Sequence, residues 1–468
     1  MTAAEATPDF ESEPDFRSSG KSSDTAFLGH PKGLGYLSFV EGCERFSYYS
    51  MQTLLVLYMV NYLLLPGHAE NVIGLPWLQG RHIGETGQQF ASSIFGDYTS
   101  LVYFTPILGG LIADRWLGRR ATLIAGGVIM SLGHFLMAFE SMFLFALIAL
   151  IVGVGLFKGN IASQVGELYS PKDLRRAMAF QIFYIFINVS VIAAPLIAGT
   201  LGQKVGWHWG FGCAGVVMLF GLLIYLKAAP YLPADAREDR KTKGKTAMKL
   251  QSEDYPRLIA LLILVPVMGI ALITNQQIFN AYLVWADQQF QLTFFGHTMP
   301  SSWMITLDAS LSFLMLLTVA AFWKLCEVIT GREPDELGKM IIGSVFTIAG
   351  ALCLVMAAAT QGTGKIGLFW PFMFHFLNSI GFAHILPISL ALFTKIAPRP
   401  LSGTVVGIYY MSFVLANWIV GNVVGPWLST MPATTFWLIH AGTGAFGLVA
   451  FVVCKLALGR LLSGETPA

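Results

Sequence analysis

Glu41, Glu44 and Arg45 fall within five residues of one another in a run that is otherwise apolar, and Tyr48, Tyr49 and Gln52 follow before the chain turns purely aliphatic. An ionised side chain in hydrocarbon is costly unless it pairs or lines a wet cavity, so a charged group at such a place is a transport or proton-handling candidate. At about 100° per residue, positions 41, 44, 45, 48 and 52 share one side of a helix, and the opposite side is left to lipid or packing. Leu34 to Val40 precede the charges, which puts the charged turn inside the membrane and not at its rim. Lys158 is a second cation within an apolar run. A buried amine needs a carboxylate beside it to stay charged, and Glu41 and Glu44 are the carboxylates on offer if the first and fourth spans face one cavity.

The elements that must hold these groups are membrane helices. The 468 residues are 55% hydrophobic and 12% charged, with a mean hydropathy of +0.63, which excludes a soluble enzyme and implies a polytopic membrane protein in a lipid bilayer. A net charge of +2 without a dense basic run excludes nucleic acid as a partner. Cys43, Cys213, Cys326, Cys353 and Cys454 lie far apart with no CxxC pair and read as small packing residues, neither disulfides nor metal ligands. Runs long enough to span lie near residues 33–62, 90–113, 120–139, 142–168, 177–200 and 208–227, and again near 257–285, 302–323, 339–360, 367–394, 402–425 and 433–456. The Gly-rich stretch 146–166 is a candidate for bending.

The fold expected is all-α, with twelve transmembrane helices in two six-helix bundles, residues 33–227 and 257–458. Residues 1–32, rich in Ser, Pro, Asp and Glu, lack the basic-then-apolar order of a signal peptide and read as a disordered cytoplasmic tail. The charged stretch 228–256 is the linker, and 459–468 a second tail. With both termini cytoplasmic, 24 of the 29 Lys and Arg residues fall on the inside and only Arg81, Lys204 and Lys365 outside, the asymmetry that positive-inside insertion demands of a multi-pass protein of the cell membrane.

The loop after the second span reads Gly109-Gly-Leu-Ile-Ala-Asp114-Arg115-Trp-Leu-Gly-Arg119-Arg120 and resembles the cytoplasmic signature loop of the major facilitator superfamily. Its glycines allow close helix approach, and Asp114, Arg115 and Arg119 suit a charge relay that switches conformation. Glu41-Gly-Cys-Glu-Arg-Phe-Ser-Tyr-Tyr49 resembles the ExxERFxYY signature of the proton-dependent oligopeptide transporter family. Tyr103-Phe-Thr-Pro-Ile-Leu-Gly-Gly110, Phe157-Lys158-Gly-Asn160 with Gly166-Glu-Leu-Tyr169, and Phe183-Tyr-Ile-Phe-Ile-Asn188 are similar to its second, fourth and fifth helices, with Ser190 in place of a glycine. The resemblance implies the major facilitator fold and a proton-coupled symporter importing di- and tripeptides or peptide-like compounds. It implies that Glu41, Glu44, Arg45 and Lys158 form a salt-bridge cluster coupling protons to transport. Arg45 and Lys158 would receive the peptide carboxylate, and Tyr48, Tyr49, Tyr103 and Asn188 would line the site. No cofactor or metal is implied, and oligomeric state is left open.

The C-terminal half departs from the family pattern. Where the family carries an acidic residue in the seventh helix this chain has Thr274-Asn275-Gln276-Gln277, and where it carries Gly-Glu-Leu before a proline in the tenth this chain has Gly381-Phe382-Ala383-His384-Ile-Leu-Pro387. Gln52 stands where Arg is usual and Asp308 where Asn is usual. An aromatic face attracts a desolvated cation by only about 1 to 2 kcal/mol. Asp308 is therefore the expected partner of a peptide's amino group, with Asn275 and Gln276 as neutral acceptors. His384 is either a titrating group in the site or a packing residue, and Asp97, near the outer end of the second span, either a proton-entry residue or a solvated collar. The redrawn charges leave a non-peptide solute, such as an anion or modified metabolite, as the alternative cargo. An intramembrane enzyme would need a convergent nucleophile and base or an HExxH-type metal set, and the sequence holds neither.

Overall fold

A computed structural model describes residues 24–170, 173–233, 250–252, 254–398 and 401–463. Most of the first tail, most of the linker and the last residues of the second tail lie outside that set. The described chain is a succession of long helices: α1 (Lys32–Tyr58), α2 (Gln88–Ile112), α3 (Arg119–Leu136), α4 (Phe143–Glu167), α5 (Arg175–Ala194) and α6 (Trp207–Ala228), then α7 (Asp254–Ala271), α8 (Ala281–Gln289), α9 (Trp303–Thr330), α10 (Glu336–Thr360), α11 (Phe369–Ile396), α12 (Ser402–Ile419) and α13 (Ala433–Ser463). A small hairpin, β1 (Thr293–Phe294) with β2 (His297–Thr298), links α8 to α9. Nine of the helical segments among the described residues are long and apolar enough to cross a membrane. The segments of α1, α2 and α3 fall short of that apolarity because they carry Glu41, Glu44 and Arg45, Asp97, and the Arg119-Arg120 pair with His134.

Helices α1–α6 pack chiefly on one another, and α7–α13 do likewise. The two groups meet through α2 on α12, α5 on α9 and α1 on α8. α1 is the central helix of its half, buried along most of its length between Gly33 and Tyr58 though Phe39 is exposed, so much of the face opposite the charges meets protein. Glycines make this density possible. A Cβ on Gly221 of α6 would meet Cys43 Cβ at 2.6 Å, and one on Gly126 of α3 would meet Gly153 O of α4 at 2.8 Å. The Gly-rich stretch lies within one uninterrupted helix, α4, whose glycines admit α2 and α3.

The seventh span does break. α7 stops at Ala271, a short turn covers Ile273–Gln276, and Asn280 (φ −117°, ψ −108°) separates it from α8. Polar side chains around the break bond to neighbouring elements, while the buried amide of Gln277 has no partner among the described residues. Thr274 Oγ1 donates to His440 O (3.2 Å), Asn417 Nδ2 to Gln276 Oε1 (3.2 Å) and Asn280 Nδ2 to Ser92 Oγ (2.6 Å).

The last of these bonds joins the two halves, and others cluster with it toward the end opposite the termini, called distal here. Asn422 Nδ2 donates to Asp97 Oδ1 (3.0 Å), Gln88 Nε2 to Gly425 O (3.0 Å), Asn61 Nδ2 to Asp287 Oδ2 (2.9 Å) and Gln203 Nε2 to Ser301 Oγ (2.8 Å). Ser100 Oγ to Val414 O (3.1 Å) and Thr306 Oγ1 to Ile192 O (3.1 Å) lie deepest. Among the described residues no hydrogen bond joins the halves at the terminal end, so the structure is latched on one side. The tightest point of the latch is the crossing of α2 and the end of the α12 segment, where a Cβ on Gly96 would lie 2.5 Å from Gly421 Cα. Gly96→Val should wedge this crossing open. In a background without the native cysteines, a cysteine at Gln52 should then react faster with a membrane-impermeant thiol reagent applied from the distal side; unchanged labelling would mean the crossing does not hold the latch.

Candidate functional site

Helical spacing sets the centre of the site. Arg45 Nε lies 3.1 Å from Glu41 Oε1, one turn earlier, and Arg45 Nη2 contacts Glu44 Oε2. The three side chains are at most 6% exposed. Glu41 Oε2 and Glu44 Oε1 have no hydrogen-bond partner, and the guanidinium contacts are charge pairing without aligned hydrogen bonds. One guanidinium thus serves two buried carboxylates.

The second cation does not join this cluster directly. Lys158 was expected in salt-bridge contact with the glutamates, but among the described residues it has no carboxylate at pairing distance. Its Nζ sits instead among aromatic rings, 4.7 Å from the centroid of Tyr103, 5.5 Å from Tyr48 and 5.9 Å from Tyr410. The Arg45 guanidinium lies 5.2 Å from the same Tyr48 ring, so both cations contact one ring. Tyr410 belongs to α12, which makes the lysine's cage a contact between halves. Tyr103 reinforces it by stacking on Phe413 (5.0 Å, 23°). Tyr49 packs edge-on against Tyr48 (5.0 Å) and faces Phe279 of the broken span (6.2 Å). Gln52 is buried one turn beyond. Asn188, half-buried on α5, turns its amide nitrogen back to Tyr184 O (2.8 Å).

In the C-terminal half Asp308 of α9 is buried, and its Oδ1 lies 2.9 Å from His375 Nδ1 on α11. The other imidazole nitrogen, Nε2, lies 2.7 Å from the Tyr282 hydroxyl on α8. His384 does not share this site. Its Nε2 accepts from Trp323 Nε1 (3.0 Å), its Nδ1 lies 2.9 Å from Ile380 O, and it packs against α10, where a Cβ on Gly343 would touch it. It is a packing histidine. Phe382 and Asn275 line a small cleft with Asn378 and Thr347, whereas Gln276, expected in the site, is buried in the bonding of the broken span. The sequence offered no way to prefer His375 over His384, since both sit singly in the tenth span, and no local motif marks Tyr282 or Tyr410.

At the terminal end Arg119 lies 3.9 Å from Asp114 and also contacts Glu167 at the end of α4, so the signature loop ties α2, α3 and α4 together. Arg115 is exposed. Arg120 instead clamps the end of α6, with Nη2 donating to Leu232 O (2.9 Å) and Pro233 O (2.6 Å). At the distal end Asp97 is part of the latch, between Asn422 and His82 Nε2 (3.4 Å).

A sequence model of the Major Facilitator Superfamily matches residues 46–416, most of the chain. The chain belongs to the Major Facilitator Superfamily. Its relatives include a peptide transporter of Yersinia enterocolitica, YePEPT, 28% identical over 469 residues that cover 85% of this chain and 88% of that protein. A di-/tripeptide transporter of Lactococcus lactis subsp. cremoris is 28% identical, covering 92% of this chain and 96% of its own length. The transporter YclF of Bacillus subtilis, uncharacterized, is 29% identical over 92% of this chain and 94% of its own. The fold is shared with a solved peptide transporter in complex with alafosfalin (TM-score 0.78, 24% identity, 93% of this chain and 96% of that one). It is also shared with a POT family transporter in complex with 5-aminolevulinic acid (TM-score 0.75, 21% identity, 95% and 99%).

For a member of this superfamily, the geometry at Arg45 has a direct consequence for stability. Breaking a buried ion pair by removing one partner costs about 3 to 5 kcal/mol, because the other charge is left buried and bare. Arg45→Met should lower the thermal unfolding temperature of the purified protein sharply. Adding Glu44→Gln to it should restore part of the loss, because the second substitution removes a stranded carboxylate. Simple additivity of the two losses would contradict the pairing.

Proposed function

We propose that this chain is a proton-coupled secondary active transporter that imports di- and tripeptides or peptide-like compounds across the cell membrane by alternating access. The observation that carries the reading is the buried set Glu41, Arg45 and Glu44 with Lys158 behind the Tyr48 ring. Two anions and two cations balance when both carboxylates are ionised. A proton on either glutamate leaves the set with a surplus positive charge in a low-dielectric interior, where such a surplus is far stronger than in water. The carboxylate of a peptide is the partner that neutralises it, at Arg45 or Lys158. Proton and substrate are then taken up together because each corrects the charge imbalance the other creates. The names of the relatives in Yersinia and Lactococcus support peptide as the cargo over the non-peptide alternative.

Residues 33–227 and 257–458 are the two bundles that rock against each other, joined by the linker 228–256, with both termini cytoplasmic as the basic residues ask. In that orientation the latched distal side faces outward and the site is reached from the cytoplasm. The cage around Lys158 gives each half a hold on one charge, because Tyr410 comes from the second half and Tyr48 and Tyr103 from the first. Asp114 and Arg119, bridged to Glu167, brace the terminal ends of α2, α3 and α4 as one body during the motion.

Proteoliposomes test the coupling. Wild type should accumulate a labelled dipeptide under an inward proton gradient, whereas Glu44→Gln should lose gradient-driven accumulation by tenfold or more and retain counterflow exchange. Full accumulation by Glu44→Gln would refute the coupling role. Lys158→Ala should lose uptake with little change in expression or thermal stability, since the lysine breaks no carboxylate pair when removed and small residues already surround it. Parallel loss of uptake and stability would make it a structural residue.

A further inference from the structure

At the distal end the two halves enclose a second cavity, away from the charges of α1. Its volume is about 310 Å³, at the small end of the roughly 300 to 1,000 Å³ of small-molecule sites. The first half supplies Gln203 and Lys204, from the turn Leu201–Val205 between α5 and α6. The second half supplies the end of α8, the β1–β2 hairpin and Lys365, from the connection between α10 and α11. These walls are joined across the seam. Gln203 Nε2 donates to Ser301 Oγ (2.8 Å), Ser302 N donates to Gln203 Oε1 (3.0 Å), and Trp303 Nε1 donates to Thr200 Oγ1 (2.8 Å). The wall of the second half is itself braced, with Met299 N bonded to Leu292 O (2.8 Å) and Gln291 N to Ile366 O (2.8 Å). Because each half contributes a wall, parting the distal ends takes the cavity apart.

The cavity carries more positive than negative charge. Its charged lining residues are Lys204, Lys365 and Asp287. The carboxylate is already bonded on both oxygens: Asp287 Oδ2 accepts from Asn61 Nδ2 (2.9 Å) and Oδ1 from Ser301 Oγ (2.8 Å). The amines are not matched in this way. Lys365 Nζ donates to a carbonyl, that of Gln288, and among the described residues neither lysine is paired with a carboxylate. Beside this surplus charge the lining is apolar, with Phe290 and Leu292 buried and Met299 half-buried. Cations next to a sheltered apolar wall suit an anion that carries an apolar group.

We propose that this cavity is a regulatory site for a small carboxylate bearing a short apolar group, and that its occupant holds the distal latch shut. The carboxylate meets Lys204 and Lys365, and the apolar group lies on Phe290, Leu292 and Met299. A ligand that binds one conformation and not the other moves the population toward the one it binds. Occupancy is therefore a brake on distal opening. The inference is independent of the cargo, since none of these residues belongs to the charge set of α1 and α4.

Calorimetric titration of the purified full chain with N-acetyl-L-phenylalanine tests the site. Wild type should bind this acid, and should bind N-acetyl-L-phenylalaninamide, which lacks the carboxylate, at least tenfold more weakly. Lys204→Gln combined with Lys365→Gln should weaken the acid tenfold or more, and Lys204→Gln alone, at an exposed position, several-fold. Lys158→Ala, which removes a cation near Arg45, should leave its affinity unchanged. In the background without native cysteines and with a cysteine at Gln52, the acid at ten times its dissociation constant should slow labelling from the distal side by roughly tenfold. The same concentration should have no such effect in the double lysine variant. Failure of the acid to bind, or binding that survives the double substitution, overturns the site. Binding lost in Lys158→Ala puts the acid beside Arg45 and overturns it equally. Binding that depends on the two lysines but leaves labelling unchanged overturns the brake.

Discussion

A single guanidinium buried between two carboxylates is the constraint around which the molecule is organised. Arg45 is held by Glu41 one turn earlier on α1 and by Glu44 beside it, and both are shut away from water. Such a group is tolerable where it faces protein or a wet cavity, and α1 is accordingly buried along most of its length. The close packing of α5 and α6 against it follows from small residues, with Gly42 facing Ser190 of α5 and Gly221 facing Cys43. Lys158 completes the balance from α4 at one aromatic ring's remove. Its cage takes rings from both halves, Tyr48 and Tyr103 of the first and Tyr410 of α12.

The second half is built on a different principle. Where the first half balances charge with charge, the broken seventh span bonds to neutral partners, Asn280 to Ser92, Gln276 to Asn417 and Thr274 to the His440 carbonyl. Neutral bonds of this kind contribute about 0.5 to 1.5 kcal/mol each and separate without stranding an ion. The bond from Asn280 to Ser92, the one of the three that joins the halves, suits a latch that must open repeatedly. Asp97 and Asp287, the charged members of the latch, also accept from neutral amides, those of Asn422 and Asn61. Asp308 is the one buried carboxylate of this half among the described residues.

Much of this was legible in the sequence, for a physical reason. Long apolar runs and the side on which Lys and Arg collect report the bilayer directly, so the helices were found within a few residues, from α2 at Gln88 to α12 at Ser402. The pairing of Glu41 with Arg45 was legible because it is set by helical periodicity within one element. Contacts between elements were not. Lys158 was expected beside the glutamates from charge and from the family resemblance, and the structure gives it to tyrosines, one of them from the other half. His384 drew attention as a histidine inside the membrane that could titrate, but it bonds within its own bundle, and His375, nine residues earlier, is the histidine that meets a carboxylate. The break at Asn280 was hidden because a polar interruption in an apolar run reads equally well as a lined cavity.

The central claim is that the buried charge set binds proton and substrate as one event. Calorimetry of dipeptide binding to the purified protein, repeated at one pH in buffers of different ionisation enthalpy, reads the protons exchanged on binding. The account predicts net proton uptake in wild type, seen as an observed enthalpy that varies linearly with buffer enthalpy, and its disappearance when Glu41 and Glu44 are both changed to Gln. Dipeptide binding with an enthalpy independent of buffer in the wild-type protein, across the pH range in which it transports, would contradict it.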